Sequence, residues 1–372
     1  MTPEARRAEL VADLRASGEL DDGWGEAFAQ VPRHLFIPDT IWLVDHGGGR
    51  LRPLLHDDDP DRWLRCAYQD HPVDIQVDDG HPAADGTGYE VTSSASQPSV
   101  VAGMLRALAP GPGMRVLEIG TGSGWNAALL AHRIGAENIV SIEIDPAVAD
   151  QARGALDRAG FGKVTVITGD GEDGWPDSAP YDRVIATAGA SVVPYPWVEQ
   201  SAPGGRVVVP LTNTYQPPGV AVLTVDDLAA TGRLAGPAVF MGLRSQRIPR
   251  PRGADFPGGA DSVGTTELHP YRWAGDRAAA TAIGQRLGDG VHAHFDSSGP
   301  GTGTQWLLDP DSTSWASVDL DGTPPYPVAQ AGPRRLFDEV TAAYTWWVNT
   351  GKPGIQDWVV HVGPHGQTIT LG

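Results

Sequence analysis

Residues 115 to 124, Arg-Val-Leu-Glu-Ile-Gly-Thr-Gly-Ser-Gly, constrain this chain more than any other stretch. An apolar strand, Val116 to Ile119, runs straight into three alternate glycines, Gly120, Gly122 and Gly124. A helical pattern follows at once, from Trp125 to about Ile134. Strand, glycine turn and helix start together form the ligand-binding corner of a doubly wound sheet. Glycine lets the backbone turn tightly and come close to a ligand without a Cβ in the way. Dinucleotide sites read G-x-G-x-x-G, whereas here the third glycine comes one residue early.

The next strand, Asn138 to Glu143, ends Ile142-Glu143-Ile144-Asp145. A carboxylate at that tip accepts both hydroxyls of a ribose. No second glycine-rich phosphate cradle follows, which favours a ligand without a pyrophosphate. S-adenosylmethionine fits, with its ribose, adenine and amino-acid tail. The alternative for the glycines alone is a turn with no ligand. Glu118 within the strand, Glu143, and Gly169-Asp170-Gly171 after the third strand stand in register against that alternative. Asp170 is placed to accept the adenine amino group, and its flanking glycines leave room for the ring.

The rest of the chain is consistent with such a sheet. Strands at 115–119, 138–143, 163–167, 181–187 and 205–211 alternate with helices at 125–134, 146–158 and 195–201, a pattern that predicts a parallel α/β sheet. Residues 219–226 and 232–240 read as a closing hairpin. Thr2-Pro3-Glu4 starts a first helix, striped by Leu10, Val11 and Leu14. A second short helix covers about 22–30. Residues 45–95 are dense in turn formers, with glycines at 47 to 49 and Asp57, Asp58 and Asp59 in a run, although Val73 to Val77 alternates as a strand does. After Gly242 the pattern changes. An Arg-, Pro- and Gly-rich connection at 244–264 leads to a helix near 276–287, strands near 291–296 and 304–308, and a helix near 334–349 with Leu336, Val340, Tyr344 and Trp347 on one face. The expected division is therefore 1–95, N-terminal helices and a loop-rich insertion; 96–244, the ligand-binding domain; and 245–372, a small α+β extension that caps the site, binds a peptide or stabilises the fold.

Composition narrows the partners. With 372 residues and 41% hydrophobic side chains, the chain has material for a large core. Its 27 Lys and Arg against 46 Asp and Glu leave a net charge of −19, which repels phosphate backbones and argues against a nucleic-acid substrate. The single cysteine, Cys66, supplies neither an internal disulfide nor a thiolate cluster for zinc. The Asp57–Asp59 run reads as a solvated loop and His292-Ala293-His294 as a strand surface, so no metal is expected. No apolar segment resembles a signal peptide or a membrane span, which points to a soluble, cytoplasmic protein.

Several blocks in order now carry a specific resemblance. They are Val31-Pro32-Arg33-His34-Leu35-Phe36-Ile37-Pro38, Ser96-Gln97-Pro98, Val116 to Trp125, Gly169 to Pro176, Tyr181-Asp182-Arg183-Val184-Ile185, Pro203-Gly204-Gly205-Arg206 and Phe240-Met241-Gly242-Leu243. Over about residues 4 to 244 the chain resembles the protein-L-isoaspartate O-methyltransferases. The resemblance implies a Rossmann-like class I methyltransferase sheet and S-adenosylmethionine as cofactor, leaving as S-adenosylhomocysteine. It also implies that Glu118, Gly120, Gly122 and Gly124 bind the methionine part, Glu143 the ribose and Asp170 the adenine, with Thr121, Ile144 and Gly171 beside them. Ser96 matches the family's active-site serine, and Ser96, Gln97 and Pro98 its acceptor motif. On local evidence alone that motif is also an ordinary helix start.

Two departures bear on the acceptor. The family's repair enzymes are expected to be shorter, without the expanded 45–95 segment and the extension after 245. Ser99 also stands where the family often has His or Tyr. The long layout is similar to a subgroup associated with ribosomally made, modified peptides. In that subgroup an aspartate side chain of the precursor is methylated and the ester closes to an aspartimide. That acceptor is the expectation here. Repair of isoaspartyl residues in damaged proteins is the alternative, and a nucleoside-binding regulator without transferase activity is a third reading.

Overall fold

The structure is a computed structural model and describes residues 1–45, 49–248, 259–299 and 302–372. Glycines 47 and 48 and most of the Arg- and Pro-rich connection, at 249–258, lie outside the described residues.

The N-terminal part holds helices α1 (Pro3–Ala16) and α2 (Asp22–Gln30), strands β1 (Thr40–Val44) and β2 (Leu51–Leu55), helix α3 (Pro60–Tyr68), and strands β3 (Val73–Val77) and β4 (Val91–Ala95). Thr2 caps α1 by accepting from the Ala5 amide at 3.3 Å, and Leu10, Val11 and Leu14 are its buried stripe. The expected loop-rich insertion is instead an ordered antiparallel sheet in the order β2-β1-β3-β4. Asp59, from the aspartate run, caps α3 by accepting from the Arg62 amide at 3.0 Å. Strand β3 has the expected bounds Val73–Val77, whereas the turn formers masked the other three five-residue strands.

The central part is α4 (Pro98–Leu108), β5 (Val116–Ile119), α5 (Trp125–Ile134), β6 (Ile139–Glu143), α6 (Pro146–Arg158), β7 (Thr165–Thr168), β8 (Tyr181–Ala186), α7 (Tyr195–Glu199), β9 (Ser201–Leu211), β10 (Gly219–Asp226) and β11 (Ala229–Ala235). Strands β7, β6, β5, β8 and β9 lie side by side and parallel, and β10 and β11 continue antiparallel. Every residue of β5 and β6 is buried, as a strand covered on both faces requires. The expected hairpin is present, but its second strand ends at Ala235 rather than 240. The order of strand succession reverses between the parallel neighbours β5 and β8, so a crevice opens beyond their carboxyl ends.

The C-terminal part comprises β12 (Ser262–Thr266), α8 (Tyr271–Ala274), α9 (Arg277–Leu287), β13 (His292–Gly299), β14 (Thr302–Leu308), β15 (Trp315–Asp319), β16 (Tyr326–Ala331), α10 (Leu336–Asn349), β17 (Trp358–Gly363) and β18 (Gly366–Leu371). Strands β12 to β16 form a second antiparallel sheet. The extension is not a separate unit. Strand β17 pairs with β11 and β18 with β17, which brings the main sheet to nine strands among the described residues. One apolar cluster runs from Val209 and Leu223 of the main sheet to Trp273, Ile283, Val340 and Trp347 of the extension. No helix among the described residues is long and apolar enough to cross a membrane.

Candidate active site

The crevice beyond β5 and β8 holds the expected ligand corner. Gly120 and Gly122 take φ values of +90° and +52°, a region that L side chains rarely adopt. A Cβ on Gly122 would meet the Ser94 carbonyl only at ordinary contact distance, 3.6 Å, so it is the left-handed backbone that calls for glycine there. Gly120, Thr121, Gly122, Glu143, Ile144, Asp170, Gly171 and Ser96 all line this one cleft. Residues 96 and 170 are thus brought together across the switch point.

Glu143 sits at the tip of β6, 8% exposed. Its Oε2 accepts from the Gly122 amide at 2.9 Å and its Oε1 from the Asp145 amide at 3.1 Å. Each oxygen keeps a lone pair toward the cleft, which suits two ribose hydroxyls. Burial pushes its pKa above the ordinary range, against those two amide bonds. Asp170 is exposed, and its Oδ1 accepts from the Glu172 amide at 3.0 Å, which leaves Oδ2 for a ligand. The glycine turn, the paired oxygens of Glu143 and the open carboxylate of Asp170 are a donor and acceptor set that fits S-adenosylmethionine.

Four of the expected residues stand outside the cleft lining. Glu118 is fully buried beneath the glycine loop. It accepts from Asn126 Nδ2 at 2.6 Å and from Ser141 Oγ at 2.5 Å, and Ser141 meets the Thr121 hydroxyl at 2.7 Å. Its carboxyl therefore acts on the cleft through Asn126 and Thr121. Burial pushes its pKa up to about 7. Gly124 starts α5 at φ +85°, and a Cβ there would stand 3.4 Å from Ala152. Gln97 donates to Asp70 at 3.2 Å and to the Ser99 hydroxyl at 3.0 Å, and Pro98 is the first residue of α4. These two hold the helix start on which Ser96 rests.

Several residues that matter were not assigned roles from sequence. Arg33, inside the Val31–Pro38 block, is 1% exposed. Its Nη1 donates to the Ala67 and Gln69 carbonyls at 2.8 and 3.4 Å. Its Nη2 donates to the carbonyls of His71, Ala95 and Ser96 at 3.2, 3.1 and 2.9 Å. Burial pushes its pKa down to about 10, so it stays charged at neutral pH. Arg33 thus ties the backbone at Ser96 to α3 and its following turn. Arg244 lines the cleft next to the matched Phe240–Leu243 block. Its Nη2 donates to Gln76 Oε1 and Asp145 Oδ2, both at 3.0 Å, and its Nε lies 3.3 Å from Asp79. Burial acts to raise the Asp145 pKa, but bonds from Gln76, the Val148 amide and Arg244 hold it below the ordinary range. The sequence signal for Arg244 was its position beside a matched block. Gln76 had none.

The cleft lining also carries the hydroxyls of Ser93, Ser94, Ser96 and Thr187. Thr187 donates to the Gly120 carbonyl. No group of three or more His, Cys, Asp or Glu suited to a metal occurs among the described residues.

Comparisons with known proteins agree with this geometry. The family model for protein-L-isoaspartate(D-aspartate) O-methyltransferase (PCMT) matches residues 59–236. A protein-L-isoaspartate O-methyltransferase of Aeropyrum pernix is 35% identical over 236 residues, which are 63% of this chain and 72% of that protein. One of Hyperthermus butylicus is 35% identical over 250 residues, 64% of this chain and 88% of that protein. A solved structure named protein-L-isoaspartate O-methyltransferase aligns over 98% of this chain and 99% of its own, with a TM-score of 0.54 and 21% identity, a likeness of fold. The chain belongs to the protein-L-isoaspartate O-methyltransferase family, and with it to the S-adenosylmethionine-dependent carboxyl O-methyltransferases.

Proposed function

We propose that this enzyme methylates the side-chain carboxylate of an aspartate in a ribosomally made, modified precursor peptide, and that the ester then closes to an aspartimide. The observation that carries carboxyl transfer is the cleft lining, which offers hydroxyl donors at Ser93, Ser94 and Ser96 and, among the described residues, no His, Cys, Lys or Tyr. Its two carboxylates, Glu143 and Asp170, are those read as cofactor contacts. A carboxylate, with a pKa near 4, is already ionised at neutral pH and needs no base. S-adenosylmethionine, when bound, supplies an electrophilic sulfonium methyl. Ser96 donates its hydroxyl to the acceptor carboxylate and aligns one oxygen with that methyl. The new O–C bond forms as the C–S bond breaks, the electron pair leaves on sulfur, and no proton moves. Opposite charges cancel in this step, so alignment and exclusion of water are the protein's main contributions. In the methylated peptide, the next backbone amide nitrogen attacks the ester carbon, loses its proton and expels methanol, which closes a five-membered imide.

Two observations support the precursor acceptor. Ser99 places no ring beside the Ser96 turn, and Arg244 reaches the cleft from outside the family-matched range. Length does not separate the acceptors as expected, because the solved structure that bears the repair enzyme's name aligns with almost this entire chain. Isoaspartyl repair is the second reading, and the names of the curated relatives favour it.

Mass spectrometry after incubation with S-adenosylmethionine separates the two readings. One acceptor is an isoaspartyl test peptide. The other is the peptide encoded beside the gene, with its ring chemistry installed. Methyl gain followed by methanol loss on the second alone supports the proposal. Methylation of the isoaspartyl peptide alone overturns it in favour of repair.

A further inference from the structure

The chain leaves β8 through the cleft at Thr187 and Ala188 and continues into a turn over 189–193, in which Ala190 and Val193 are buried. Four of the five amides in this turn are held by residues outside the family-matched range 59–236. The Gly189 amide donates to the Met241 carbonyl at 2.8 Å. Gln246 Oε1 accepts from the Ser191 amide at 2.8 Å and the Val192 amide at 3.1 Å. Gln367, on β18, accepts from the Val193 amide at 2.9 Å and donates to the Ser191 carbonyl at 3.2 Å. Gln246 also donates to the Val192 carbonyl at 2.8 Å and to Glu172 at 2.6 Å, which joins the turn to the loop that carries Asp170. At the crest of the turn Val192 is 51% exposed.

A loop whose amides are satisfied by two side chains from distant segments is held in one conformation only while both remain. An exposed valine on a held turn that starts directly after the cleft-lining Ala188 is a contact for an apolar side chain of a bound peptide. We propose that the 189–193 rim selects the acceptor peptide, with Val192 touching the residue next to the methylated one and Gln246 and Gln367 acting as positioning residues. This rests on the reading of the cleft as a carboxyl methyltransferase site. In this way the extension acts on acceptor choice without entering the cofactor site.

The test compares Gln246→Ala, Gln367→Ala and Val192→Asp with the wild type, using whichever of the two acceptor peptides the wild type methylates. Acceptor KM should rise about tenfold in each variant with kcat within about twofold, and in Gln367→Ala and Val192→Asp the Kd for S-adenosylhomocysteine should also stay within about twofold. Amide hydrogen exchange over 189–193 should quicken in the two glutamine variants and stay slow in Val192→Asp. An unchanged acceptor KM in an active enzyme overturns the proposal, and so does a parallel loss of cofactor affinity in Gln367→Ala or Val192→Asp. Val192→Asp changes an exposed residue and keeps the test open should a glutamine variant misfold. A wild type that methylates neither peptide removes the underlying functional reading and acceptor selection with it.

Discussion

Ser96, Arg33 and Glu118 show three ways in which one residue serves the cleft. Ser96 lines the cleft itself and, in the proposed function, donates to the acceptor carboxylate. Hydrogen bonds to a charged group are worth about 1.5–3 kcal/mol, so Ser96→Ala should lower kcat by roughly ten- to a hundredfold. Titration calorimetry with S-adenosylhomocysteine should show no change in its affinity. Arg33 acts by holding backbone. Five carbonyl contacts from one guanidinium need its planar fork, which an ammonium does not reproduce. Arg33→Lys should therefore fail to rescue the loss in Arg33→Met, and urea denaturation should show both destabilised by about 3 kcal/mol or more. Glu118 is a buried acid whose pKa is pushed from 4.5 up to about 7. Below about 4.5 the folded and unfolded states both hold the proton. Between that value and about 7 the folded state keeps a proton that the unfolded chain has released, so stability falls as pH rises through the window. The full loss above it is at most roughly 3 kcal/mol. Glu118→Gln should abolish this slope in melting temperature against pH, and an identical slope in both proteins would rule the titration out.

At the scale of elements, β17 decides whether the main sheet has an open edge at β11. Trp358, Val360 and Val362 are 4%, 0% and 1% exposed against that sheet. Burying three such side chains contributes roughly 5–8 kcal/mol, comparable to the whole stability of a domain. A chain stopped after residue 357 should therefore be recovered aggregated or unfolded, with its near-ultraviolet circular dichroism lost. The strand–glycine–helix unit at 116–134 was legible because its signals are contiguous and each element is dictated by its own residues. Of the β1–β4 sheet only β3 was legible, since the turn formers around β1, β2 and β4 masked the little period that strands of five residues show. The return of β17 and β18 was hidden for a related reason. Neither strand was expected beyond the helix near 334–349, and nothing in their residues names β11 as the neighbour.

For the whole molecule, an acidic surface surrounds a cleft whose cation, Arg244, is already engaged by Asp145 and Asp79. With a net charge of −19, the protein should show no measurable association with single-stranded RNA in fluorescence anisotropy at physiological salt. The sequence by itself determined the doubly wound core, the glycine corner, Glu143, Asp170 and the start of α4 at Ser96-Gln97-Pro98, because each depends on neighbours a few positions away. The tertiary structure decided which of these residues line the cleft and which support it. Glu118 went beneath the loop because a carboxylate inside a covered strand must find buried donors, and Asn126 and Ser141 supply them. Gln246 and Gln367 became part of the acceptor rim only through pairings as distant as 176 positions, for which a glutamine in a strand or loop carries no local signal. Such contacts are chosen by which backbone amides the fold leaves without partners, and that is known only once the sheet has closed.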